Sequence, residues 1–442
     1  MRMTASLLRS TVVGALGGLL FGFDTVVIAG TTGQLTQVFH LSPQSLGLTV
    51  SIALWGTVVG CILAGPLGQR IGGRNALRIM AVLYVISALG CAFAPTWAVL
   101  MIFRFIGGLG IGGSSVLGPV YIAELAPAAW RGRLVGTFQA NVVFGILVAY
   151  CSNYYIATLH LGALEWRWQL GIAIMPALLF LTLLYTIPQS SRFLVTRNSL
   201  TDALAVLRQM GADEPEADLE TIRQSLHQER NATAAPLFTR SLRLPIFLAI
   251  SIGVFNQVSG INAILYYAND IFAAAGLSRL STFSQSIYIG LANMGGTILG
   301  MLLIDRIGRK TLLLIGAVGT FVCLLATATL FHTGLHPEYI VWLLVAFIGF
   351  FGMSQGAVIW VYISEIFPTQ VRSKGQSLGG SAHWIMDALV ALLFPLMVAQ
   401  FSRAAPFYFF AGMTALQFFV VLFVYPETKG RTLEQLQAQL SR

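Results

Sequence analysis

The chain has 442 residues, 56% of them hydrophobic and only 10% charged, with a mean hydropathy of +0.77. An average soluble domain is about 25% charged, so the bulk of this chain is excluded from water and belongs in a bilayer. A net charge of +9 would suit a nucleic-acid binder, but the bases are placed as in a membrane protein and leave no nucleic-acid surface.

Apolar runs of about 20 residues, the length of a membrane-crossing helix, predict twelve spans at 11–31, 45–67, 76–95, 98–122, 134–157, 169–187, 245–272, 282–304, 311–331, 338–362, 376–400 and 405–425. The first follows only Arg2 and Arg9 and has no small-residue cleavage pattern, so it reads as a retained helix and not as a signal peptide. Asp24 lies inside this first span, and Arg104, in the fourth, is the base deepest inside any expected span, Arg78 falling at the start of the third. Opposite charges at membrane depth find each other. The two are therefore expected to pair, either as a static brace or as a switch in which a proton on Asp24 releases Arg104. Arg167, Arg279 and Arg403 fall in loops of one side, while apart from Arg104 the other 22 of the 26 lysines and arginines occupy the tails, the loops of the opposite side or, for Arg78, the span end on that side. That asymmetry predicts that both termini are cytoplasmic. Cys61, Cys91, Cys151 and Cys323 all fall within spans without paired spacing, which predicts neither a disulfide nor a metal site.

A long polar stretch, 190–243, splits the spans six and six. Within it Leu200–Met210 and Asp218–Gln228 are patterned as short amphipathic helices on the cytoplasmic face. The flanking halves repeat. Tyr121, Glu124, Pro127 and Arg131 return as Tyr362, Glu365, Pro368 and Arg372, each displaced by 241, and the run from Arg70 to Arg74 returns from Arg306 to Lys310, displaced by 236. Repeats an even number of spans apart have the same orientation, which makes two parallel six-helix halves with a substrate site between them. The expected division is 1–189 for the first bundle, 190–243 for the linker helices, 244–427 for the second bundle and 428–442 for a cytoplasmic tail.

Within the apolar run from Ile246 to Ala275, the stretch from Phe255 to Tyr267 carries Asn256, Gln257, Ser259 and Asn262. Carboxamides in a lipid-length helix are costly unless something polar meets them. At helical pitch Ser259, Asn262 and Tyr266 share a face. Asn256 and Gln257 reach the same cavity only if the helix unwinds near Gly260, a weak helix former. A broken helix with amides at mid-membrane is a transporter device, and amides that both donate and accept suit a substrate covered in hydroxyls. Helix-to-helix glue is the competing role for one amide, but less so for a cluster of them.

Together these features resemble the sugar porter family of the major facilitator superfamily, which includes bacterial proton-coupled monosaccharide symporters, plant monosaccharide symporters and animal glucose facilitators. The resemblance covers essentially the whole chain. It rests on the runs Phe21–Thr25, Arg104–Gly108, Tyr121–Pro127 with Arg131 to Arg133, Pro188–Arg192, Gln257–Asn262, Asp305–Lys310, Ser364–Pro368 with Arg372, and Pro426–Gly430. It implies a proton-coupling role for Asp24 with Arg104, since animal facilitators have Asn at the place of Asp24. It also implies sugar contacts from Phe21, Gln139, Gln257, Asn262, Asn293 and Trp360, with Tyr266 near the outer gate. Gln139 and Asn293 are lone amides in apolar spans, and Trp360 and Trp384 can each offer a flat ring and an indole N–H. Trp97 and Trp342, near span ends, read as interfacial anchors.

Glu124, Arg131, Asp305, Arg309, Lys310, Glu365 and Arg372 fall at the cytoplasmic span ends of both halves and are read as a charge latch. The competing role is a solvated rim, where ion pairs are worth only about 0–1 kcal/mol each. Against the family pattern, Gly73 stands in place of an Arg, Gln69 in place of Asp or Asn, and Gln189 in place of Glu, so the first half's latch is expected to be weaker. Three departures fall in the site: Asn256 for Gln, His383 for Gln or Asn, and Asp387 for Asn. His383 and Asp387 are i and i+4 on one helix face and are expected to bond each other as an ionisable pair.

The expected protein is thus an all-α membrane protein of twelve transmembrane helices in two pseudo-symmetric six-helix bundles, with short cytoplasmic helices between them. Its expected function is to import a hexose or pentose with a proton by alternating access. The expected partners are a monosaccharide, a proton and the lipid bilayer, with no nucleic acid, cofactor or metal and no enzymatic role. It is expected to work as a monomer in a plasma membrane, that of a bacterial inner membrane. A polyol or inositol symporter, a sugar uniporter and a non-transporting sugar sensor are the rival readings. Asp24 argues against the uniporter, and a short tail from Pro426 to Arg442 argues against the sensor.

Overall fold

The computed structural model describes residues 4–127, 130–231, 236–368, 370–430 and 436. Among these, every regular element is a helix, the form in which a single segment satisfies its own backbone in lipid. Twelve helical segments are long and apolar enough to cross a membrane: Ala5–Gly30, Pro43–Ile71, Gly73–Ala92, Trp97–Leu125, Arg131–Thr158, Gly162–Leu183, Arg240–Tyr266, Arg279–Ile307, Arg309–Thr333, Tyr339–Ile366, Arg372–Gln400 and Ala405–Val424. Each overlaps one of the twelve expected spans, and the chain is a multi-pass, all-α membrane protein.

Between the sixth and seventh spans lie three short helices, Ser191–Thr196, Leu200–Met210 and Pro215–Asn231. Leu200–Met210 buries Ala203, Val206 and Met210, one face at helical spacing. Gly211 ends it in the left-handed conformation. Val206 and Met210 join a hydrophobic core that includes Leu7, Leu77, Tyr121 and Phe180. The amphipathic pattern of Leu200–Met210 therefore marks a helix packed against that core.

By contact the described residues group into two compact units. The first takes Met1–Thr25, Trp55–Ala149 and Arg167–Thr233, and the second Val26–Leu54, Tyr150–Trp166 and Ala234–Arg442. In the first, spans Ala5–Gly30 and Arg131–Thr158 cross with their backbones touching. A methyl group at Gly22 would collide with the Val142 carbonyl, and one at Gly145 with the Leu19 carbonyl, the close approach that small residues allow between membrane helices. In the second unit, the ends of early spans are fastened to later ones. The Tyr150 hydroxyl donates to the Leu265 carbonyl at 2.8 Å, and Arg279 forms an ion pair with the buried carboxylate of Glu165.

The repeat extends further than the sequence pattern suggests. Gly72 and Gly308, at φ +85° and +102°, open equivalent spans. In the first half Gln189 Oε1 accepts the Arg74 N–H at 3.1 Å. In the second, Glu427 accepts the N–H groups of Arg309 and Lys310 at 2.9 and 3.0 Å. The hydroxyls of Tyr121 and Tyr362 donate to the carbonyls of Pro188 and Pro426. Each half thus folds a polar side chain from beyond its sixth span back onto the unsatisfied N-terminus of its third.

Candidate transport site

The seventh span is broken twice. Arg243–Val258 stops, Gly260 takes φ +85°, and Ile261–Tyr266 begins. A second break at Tyr267 separates that short segment from Ala268–Ala274. The first break falls where the amide pattern and Gly260 placed it; the second has no glycine or proline to announce it. A side chain at Gly260 would run into the Phe410 ring. Ser259 turns its hydroxyl onto the Asn256 carbonyl at 2.7 Å, so it satisfies the broken helix end and does not join the expected polar face.

The break lets three amides meet. Gln257 Nε2 donates to Asn256 Oδ1 at 3.4 Å, and Asn262 Nδ2 donates to Gln257 Oε1 at 3.1 Å. The span Arg372–Gln400 completes the cluster. Gln257 Nε2 lies 3.1 Å from His383 Nε2 and 3.3 Å from Nδ1. The Tyr266 hydroxyl donates to both oxygens of Asp387, at 3.0 and 3.2 Å, and Asn262 bonds the same carboxylate. The His383 ring is flanked by Trp360, with centroids 5.1 Å apart, and by Trp384, edge-on at 5.0 Å. Trp384 is 7% exposed and Trp360 39%, so Trp360 is the ring with a face to offer.

The expected bond between His383 and Asp387 does not form. Helical spacing put the two on one face, but the broken seventh span reaches in and takes each separately, His383 through Gln257 and Asp387 through Tyr266 and Asn262. Asn293 does not join this chain of bonds either: its Oδ1 accepts from Thr297 at 3.5 Å. Phe21 and Gln139 belong to the first unit, where both are half-buried.

Asp24 and Arg104 meet inside the first unit, as expected. Their closest charged atoms are 3.7 Å apart, with Asp24 7% and Arg104 2% exposed. The contact is a loose one. Arg104 Nη1 reaches the Asp24 backbone carbonyl at 3.5 Å, while Asp24 Oδ2 and Arg104 Nε have no hydrogen-bond partner. A buried pair that leaves its own polar atoms unsatisfied is poorly made as a brace.

The charged span ends form a cluster in each unit. In the second, Arg309 grips Glu365 with two parallel bonds of 3.1 and 2.7 Å and also bonds Asp305 at 2.9 Å. Thr428 donates to Glu365 at 2.6 Å, and Lys310 donates to the Leu422 carbonyl at 2.8 Å. Arg372 donates to the Phe367 carbonyl at 3.4 Å. In the first, Glu124 bonds Ser190 beside Arg192, and Arg131 donates to the Ala126 carbonyl at 3.5 Å. Gly73 occupies the place that Arg309 holds in the second half, so position 73 brings no guanidinium to Glu124. A pocket of about 450 Å³ in the second unit is lined in part by Asp305, Arg309 and Glu365.

The sequence reading missed Glu427 and Gln189 as caps, the ion pair of Glu165 with Arg279, and the Tyr150 bond. The caps had a signal: Pro188–Gln189 and Pro426–Glu427 repeat at a displacement of 238. The other two bonds join distant parts of the chain and leave no local pattern.

Twelve spans, a helix broken around clustered amides, and a separate buried acid–base pair define a membrane carrier. A family model described as sugar (and other) transporter matches residues 10–440. The chain is 36% identical to the D-xylose-proton symporter of Escherichia coli (strain K12), covering 97% of this chain and 94% of that one. It is 35% identical to the arabinose-proton symporter of Bacillus subtilis (strain 168), covering 96% and 92%. Among solved structures, a partially occluded, inward open form of the xylose transporter XylE from E. coli superposes with a TM-score of 0.87 at 34% identity, covering 97% of this chain and 100% of that one. XylE bound to 6-bromo-6-deoxy-D-glucose superposes with a TM-score of 0.81 at 35% identity, over 99% and 100%. This chain belongs to the sugar (and other) transporter family.

Proposed function

We propose that this protein imports a monosaccharide, a hexose or pentose, in symport with a proton by alternating access. One observation carries the reading: an amide cluster suited to hydroxyls and a separate buried acid–base pair occur in the spans of the same carrier. Similarity to relatives named as D-xylose-proton and arabinose-proton symporters supports the choice of cargo and of coupling ion.

In this scheme Asn256, Gln257, Asn262, Tyr266, His383 and Asp387 contact sugar hydroxyls, and Trp360 offers its face to the C–H side of the ring. Trp384 backs the site, and Phe21, Gln139 and Asn293 are the further contacts proposed. A proton on Asp24 neutralises its carboxylate, releases Arg104 and lets the two six-span halves, 1–189 and 244–427, rock about the linker 190–243. The clusters around Glu365 and Glu124 hold the termini-side ends of the spans during part of that cycle. The Glu124 cluster holds less firmly because Gly73 brings no charge.

We place the protein in a bacterial inner membrane as a monomer, with both termini, the linker and the tail 428–442 in the cytoplasm, and with no catalytic chemistry. The test is uptake of labelled D-xylose, arabinose, D-glucose and inositol into proteoliposomes, with and without a pH gradient. Gradient-driven accumulation of a monosaccharide supports the reading. Transport of inositol alone, or of no sugar, overturns it.

A further inference from the structure

Asp387 is an acid where the transport reading needs only a hydroxyl-binding amide, and its surroundings are unusual for a charge. It is fully buried in the span Arg372–Gln400. Its bonds come from neutral donors, the Tyr266 hydroxyl at 3.0 and 3.2 Å and the Asn262 amide. The groups packed around it bring no cation. On its own helix the nearest titratable side chain is His383, which is held by Gln257. The segment Arg243–Val258 brings Asn256 and Gln257, and its one charged residue, Arg243, is its first residue. Tyr267 donates to the Ala391 carbonyl, and Tyr150 to the Leu265 carbonyl. In the span carrying Ala357–Ile366, Tyr362 bonds Pro426 and Glu365 bonds Arg309. In Ala405–Val424, Tyr408 lies against His332. The end of the second span, residues 41–54, carries no ionisable side chain.

A carboxylate in such a place holds its donors strongly, because bonds to a charged acceptor are roughly twice as strong as neutral ones. The donors it holds, on Asn262 and Tyr266, are among those the proposed sugar contacts would use. We propose that Asp387 is a second proton-linked residue at the sugar site: as a carboxylate it competes with the sugar for Asn262 and Tyr266, and protonation frees them to bond sugar hydroxyls. The proton adds to one Asp387 oxygen, turning an acceptor into a donor and removing the charge. Asn262 and the Tyr266 hydroxyl then turn to the substrate. Linkage makes the help mutual, so sugar in place favours the proton on Asp387. The role is distinct from that of Asp24, whose partner is Arg104.

This inference rests on the sugar-transport reading, and one experiment separates the two. D-xylose and D-glucose binding to the purified full-length protein is measured by titration calorimetry between about pH 8 and about pH 5, all in an Asp24→Asn background. The affinity should tighten about fivefold to tenfold as the pH falls, the worth of exchanging a charge-assisted bond for a neutral one. Adding Asp387→Asn should flatten the profile at the tight limit, while adding His383→Gln should leave the slope in place. Should Asp387→Asn not yield folded protein, Tyr266→Phe should shrink the slope by removing one contested donor. A flat profile in the Asp24→Asn protein overturns the inference, as does a slope that survives Asp387→Asn, that vanishes with His383→Gln, or that Tyr266→Phe leaves unchanged. The wild-type protein is titrated alongside, and its failure to bind either sugar at any pH overturns the transport reading and the inference with it.

Discussion

Asp24 and Arg104 are 3.7 Å apart and buried, yet Asp24 Oδ2 and Arg104 Nε go without hydrogen bonds. A guanidinium and a carboxylate that were there only to hold two helices together would close into a fork. Asp24→Asn should therefore remove uphill accumulation while sparing exchange of sugar across the membrane. Two proteoliposome assays check this: the mutant should keep counterflow of labelled sugar, whereas accumulation by the mutant driven by an imposed pH gradient would reject Asp24 as the coupling acid. Gln257 is fully buried and bonds Asn256, Asn262 and His383. Truncation leaves those partners unpaired, at about 1–3 kcal/mol for a buried polar group. Gln257→Ala and Asn262→Ala should each weaken sugar binding by about 5- to 150-fold, and binding of both within twofold of wild type would move the site elsewhere. The identities of Asp24, Arg104 and the amides were legible because such groups are rare in lipid-length runs. The partners of His383 and Asp387 were not. Spacing along one helix says which residues share a face, and nothing about what a broken helix opposite will bring to that face.

At the scale of the element, the seventh span shows what a single residue can dictate. Gly260 at φ +85° sits against the Phe410 ring. An alanine there meets both a left-handed backbone and an aromatic wall. Gly260→Ala should destabilise the protein by about 1–3 kcal/mol and disperse the amide cluster, lowering the thermal unfolding midpoint in detergent and sugar binding together. An unchanged midpoint with full binding would show that the break does not depend on the glycine. The twelve spans and the linker helices were legible from hydropathy and helical period, because lipid demands long apolar helices and permits no other local choice. The break at Tyr267 and the π-turn Gly352–Gly356 inside the tenth span were not. Tyr267 has no breaking residue, and nothing in the Gly352–Gly356 run tells an i→i+5 turn from ordinary helix.

Across the whole molecule, repeated signals gave the internal symmetry and its departures. Gly72 and Gly308, Gln189 and Glu427, and Tyr121 and Tyr362 play matching parts, whereas Arg309 has only Gly73 as its counterpart. The pairing of Glu165 with Arg279, far apart in sequence, lay beyond any local pattern. The central claim is that sugar and proton move together through Asp24. Its most direct measurement is lumenal pH in proteoliposomes carrying an entrapped pH-sensitive dye, with no imposed gradient. Addition of a transported sugar outside should acidify the lumen with the wild-type protein and leave it unchanged with Asp24→Asn. Sugar entry without acidification in the wild type, or equal acidification in the mutant, would contradict it.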